Sequence, residues 1–89
     1  MKLEQTILKN LIYNEDYLRK VLPFLKTEYF SDLTERTIYN EITSFTETYN
    51  NPPSVEAIGI AIKERRNLTA DEVEKCEAYL KEIENSRSE

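Results

Sequence analysis

Apolar positions along the chain fall at helical spacing in five successive runs, separated by residues that stop or start helices. In the first run Leu3, Ile7, Leu8, Leu11 and Ile12 recur at three- and four-residue steps, so a helix here buries one broad face and ends near Tyr13 and Asn14. Asn14 is a good cap for a short second helix whose buried side carries Tyr17, Leu18, Val21 and Leu22. Pro23 stops or kinks it, because the residue before a proline is pushed out of the helical region. Phe24 and Leu25 are then expected to plug the corner, with Phe30 anchoring it.

A third helix is predicted from a cap at Ser31 or Asp32, with Glu35 placed for the weaker half of a capping box. Its stripe reads Ile38, Ile42, Phe45 and Tyr49, and Tyr39 lies beside that stripe. Asn50 and Asn51 tolerate left-handed backbone and Pro52 and Pro53 forbid continuation, so this helix ends sharply. Ser54 caps a fourth helix with Val55, Ile58, Ala61 and Ile62 facing inward, expected to run to Asn67. Thr69 and Glu72 then stand at capping-box spacing before a seam of Val73, Cys76, Leu80 and Ile83. The reading is an all-α, compact bundle of about five short helices, one globular domain over residues 1–85 with a frayed end at 86–89.

Composition narrows the chemistry. Eighty-nine residues suffice for one core, and 39% hydrophobic against 33% charged residues is the balance of a folded helical domain. The charge is -5, with 17 acids against 12 bases spread over both halves, which opposes direct binding to nucleic acid. A helix-turn-helix outline exists between Ser54 and the last helix. Its second helix, however, carries Asp71, Glu72, Glu74, Glu77, Glu82 and Glu84 where a groove-reading helix needs bases.

With no histidine, one cysteine and one glycine, the sequence offers no catalytic triad, no His or multi-Cys metal site and no glycine-rich phosphate loop. No catalytic residue, no cofactor and no metal are therefore expected. Cys76 lies on the apolar seam and reads as a small hydrophobe. Gly59, costly inside a helix, is expected to mark the close approach of a neighbouring helix. There is no signal-peptide pattern and no apolar run of membrane-spanning length, so the expected location is the cytoplasm.

Two groups of residues remain as candidate contacts. Lys63, Arg65 and Arg66 form the one concentrated basic patch, better read as cations at a helix C-terminus than as phosphate ligands. Tyr17 and Tyr49 are assigned to the core. Tyr13, Tyr29, Tyr39 and Tyr79 sit at helix ends or stripe borders, where tyrosine favours protein interfaces.

These features meet in the run "LEQTILKNLIYNEDYLRKVLPFLKTEYFSDLTERTIYNEITSFTETYNNPPSVEAIGIAIKER". A first helix ends in "LIYNEDYL", the turn "FLKTEYFSD" leads into "LTERTIYNEI", and "VEAIGIAIKER" follows the proline break. This pattern resembles the N-terminal domain of DnaB-type replicative DNA helicases, and is most similar there to the helicases of T-even-like phages. The resemblance covers roughly residues 3 to 84.

It implies a helical subdomain of the collar of a hexameric helicase ring, in contact with primase and helicase loaders. Unwinding belongs to a C-terminal RecA-like motor with a P-loop, for which this chain has neither the length nor the glycines. The family's N-terminal region continues into a long helical hairpin that makes dimer contacts, and this sequence stops at or before it. A stable hexamer is therefore not expected from the chain alone. The expected function is a non-catalytic protein-interaction domain in DNA replication. The alternative is a stand-alone helical phage regulator or adaptor that binds a host or replisome protein.

Overall fold

A computed structural model describes residues 3–86, and among them every regular element is helical. Five α-helices follow in order: α1 (Leu3–Tyr13), α2 (Glu15–Val21), α3 (Leu33–Tyr49), α4 (Val55–Lys63) and α5 (Ala70–Ser86). Two 3₁₀ turns, Leu22–Phe24 and Thr27–Tyr29, join α2 to α3. Helix α3 is central and contacts α1, α4 and α5, while α1 pairs with α2 and α4 with α5.

Four helix starts are fixed by local side chains. The Asn14 side chain accepts from the Tyr17 N–H at 3.1 Å, Asp32 from the Thr34 N–H at 2.8 Å and Ser54 from the Ala57 N–H at 3.1 Å. At α5 the box is reciprocal: Thr69 Oγ1 accepts from the Glu72 N–H, and Glu72 Oε1 from the Thr69 N–H. Asp32, not Ser31, caps α3, and Glu35 takes no part in a box: it is turned inward and 2% exposed. Asn50 closes α3 in the left-handed region at φ 56°, and its carbonyl also accepts from Arg19 of α2.

The core joins Leu8, Leu11 and Ile12 of α1 to Leu18, Phe30, Ile38, Ile42, Ile58, Ile62, Cys76, Leu80 and Ile83. Phe30 is completely buried, as the corner required. Phe24 is 77% exposed and does not plug it. Pro23 tightens the chain into a 3₁₀ turn, in which Leu22 and Leu25, three apart, share the inner side and Phe24 is turned out.

Other expectations are corrected in the same way. Tyr49 is exposed, because the far end of the 17-residue α3 overruns the elements that cover Ile38 and Ile42. Leu3 is likewise exposed at the start of α1. Helix α4 ends at Lys63, four residues before Asn67, as Arg65 N–H donates to the Ile62 carbonyl and the last turn tightens. Gly59 does not sit against a neighbour: a Cβ built there meets no atom within 4 Å. Ser86, expected at a frayed end, is the last residue of α5, where its carbonyl accepts from Lys9 of α1 at 3.2 Å. Residues 87–89 lie outside the described residues.

Candidate protein interaction surface

The four border tyrosines are not gathered on one surface. Tyr39 is a core residue, 6% exposed, with its ring 5.0 Å from that of Phe30 and its hydroxyl donating to the Leu25 carbonyl at 3.0 Å. It has no area left for a partner. The stripe reading misplaced it because Phe30 folds back over the side of α3 that periodicity leaves at the margin. Tyr79, half-buried on α5, donates to Glu35 at 2.9 Å and borders a recess with Gln5, Asp32, Thr34, Lys75 and Glu82. Burial and the Glu35 carboxylate together push its phenol well above the usual tyrosine range. Tyr13 is half-buried at the end of α1, beside Pro52, Pro53 and Val55. Tyr29, in the second 3₁₀ turn, is 55% exposed and remains accessible.

The basic triplet is divided rather than pooled. Lys63 pairs with Glu77 of α5 at 3.1 Å, and Arg65 turns inward to pair with Glu41 of α3. Arg66 is exposed. Two of the three cations thus sit against carboxylates, an arrangement that ties α4 to its neighbours and leaves little positive field for a phosphate. Cys76 is buried, its thiol raised above the ordinary value first by desolvation and then by the Glu72 charge. A thiol in that state is a poor nucleophile. Among the described residues no group of three or more His, Cys, Asp or Glu is placed to hold a metal, and no helix is long and apolar enough to cross a membrane.

One surface was not anticipated. Between α3 and α4 runs a groove of about 390 Å³ lined by Phe45, Tyr49, Ala57, Ile60 and Ala61 together with Glu41, Ser44, Thr48 and Glu64. The rings of Phe45 and Tyr49 lie 4.5 Å apart and tilted by 46°, and Tyr49 and Ile60 are each 61% exposed. The sequence carried a signal for it. Ile60 falls off the inward stripe of α4, one turn from Glu56 on one side and Glu64 on the other, an apolar residue on a face that should be polar.

Comparison with known proteins agrees with this helical architecture. The family model described as "DnaB-like helicase N terminal domain" matches residues 1–88. The chain is 27% identical over 82 residues to a DnaB-like replicative helicase of Enterobacteria phage T4, an alignment covering 92% of this chain and 17% of that protein. No solved structure matches. The matched part is thus the N-terminal domain and not the motor, and the chain belongs to the family of DnaB-like helicase N-terminal domains.

Proposed function

We propose that the chain is the non-catalytic N-terminal interaction domain of a phage-type replicative DNA helicase. In this reading it contributes to the collar of the helicase ring and docks primase, a helicase loader or both, in the cytoplasm of the host. The observation that carries the reading is the family match over residues 1–88, supported by the similarity to the phage T4 helicase. The divided basic triplet and the charge of -5 favour protein over nucleic acid as the direct partner.

The test compares the complete gene product with a form lacking residues 1–86. Light scattering reads ring assembly, and co-sedimentation reads the binding of purified primase and loader from the same source. Loss of primase or loader binding, together with a weakened ring, is the expected result. Unchanged binding and assembly in the deleted form would overturn the reading.

A further inference from the structure

The α3–α4 groove has the features of a docking site and none of a core defect. Its lining combines small residues, Ala57 and Ala61 of α4, with the large Phe45, Tyr49 and Ile60, and includes Ser44 and Thr48. The two rings already touch, so little side-chain freedom is lost when something covers them. Tyr49 and Ile60 hold no position in the core and are each 61% exposed, so the fold does not account for their apolar surface.

Charge identifies the occupant. The groove lining contains Glu41 and Glu64 and no base. Glu41 is neutralised by Arg65, but Glu64 has no ion-pair partner among the described residues. A trough between two helices with exposed apolar side chains, an unpaired Glu64 and no base in its lining suits an amphipathic helix that carries Lys or Arg beside its apolar stripe.

A second copy of this chain suits it poorly. Self-docking would bring an acidic lining without a base onto another copy of the same lining, on a chain that already carries -5.

We infer that the α3–α4 groove binds a basic amphipathic helix of a replisome partner, its apolar residues seated on Phe45, Tyr49 and Ile60 and its cations facing Glu64. This rests on the reading of the domain as a docking module and names the surface and the chemistry that module uses.

The test uses two helical peptides with leucines at i, i+4 and i+7, one flanked by lysines and one by glutamates, followed by NMR and calorimetry. The lysine-flanked peptide is expected to bind and shift the Phe45, Tyr49 and Ile60 signals, and the glutamate-flanked one to bind at least tenfold more weakly. Y49A and I60S should each weaken binding tenfold or more, and E64K should do so most at low salt. All three positions are exposed, and an unchanged melting temperature checks that the fold survives. In the complete gene product the same substitutions should lower primase or loader binding in the co-sedimentation assay.

Equal binding of both peptides, or shifts centred elsewhere, would overturn the inference. So would concentration-dependent shifts of these signals without peptide, which would mean a second copy, or their protection by residues beyond 89 of the gene product. If Y49A and I60S leave partner binding intact while removal of residues 1–86 abolishes it, the groove falls and the docking function stands. If removal of residues 1–86 has no effect either, the functional reading itself falls.

Discussion

The Tyr79 hydroxyl donates to the Glu35 carboxylate across 2.9 Å, joining α5 to the first turn of α3 over 44 residues of sequence. Glu35 is 2% exposed, so this bond is the compensation for a carboxylate taken out of water. Y79F should leave that carboxylate unpaired and destabilise the domain by about 2 kcal/mol, lowering the melting temperature by on the order of 10 °C. Thermal denaturation followed by circular dichroism checks it.

The same pair fixes a pH dependence. The Tyr79 phenol is raised above its ordinary value of 10.0, so above that pH the unfolded chain gives up a proton that the folded chain keeps. The contribution of Tyr79 to stability is full below about pH 10 and is lost as pH rises beyond it. Urea midpoints measured upward from pH 9 should fall more steeply for the wild type than for Y79F.

Gly59 offers a stabilising change. It lies inside α4 where a Cβ meets nothing within 4 Å, beside a shallow recess bordered by Val55, Leu80 and Lys81. G59A should stabilise the domain by about 1 kcal/mol, since alanine restricts the unfolded chain and favours the helix without a clash. Denaturant unfolding that shows a loss of stability would mean that α5 closes more tightly on α4 than this geometry allows.

The box at the start of α5 is a separable element. T69A removes the acceptor for the Glu72 N–H and should cost about 1 kcal/mol, with amide exchange rising in the first turn of α5 before anywhere else in that helix.

Arg65 and Glu41 form a less exposed ion pair, their side chains 27% and 14% accessible. R65M should destabilise by roughly 1–2 kcal/mol because it strands a partly buried carboxylate, and E41Q in the same chain should recover most of the loss. A double-mutant cycle by urea denaturation reads the coupling.

Helix number and helix starts were legible because both are written within a few residues. Asn14, Asp32, Ser54 and Thr69 act on N–H groups two or three positions away, and a window of sequence contains all of that information. What the sequence hid depends on distant chain. Periodicity gives a direction on a helix, not whether another element covers it, so Tyr49 passed for core and Tyr39 for surface. The left-out Phe24 and the inward Arg65 follow from turns tightened to 3₁₀ geometry, which a helical wheel does not contain. Of the interaction surface, the isolated Ile60 was visible in the pattern. Its partners Phe45 and Tyr49 were visible only as members of the wrong face.

The central position of α3 has a consequence for how the chain is made. Synthesis delivers α1 to α4 first, each able to begin from its own cap, and by then α3 already has α1 and α4 beside it. Cys76, Leu80 and Ile83, and the hydroxyl that answers Glu35, all arrive with α5. Until α5 leaves the ribosome, one side of α3 stays wet and Glu35 keeps its water. A nascent chain halted before residue 83 is therefore a set of started helices around an open seam, and the stretch that completes α5 decides when this domain becomes solid.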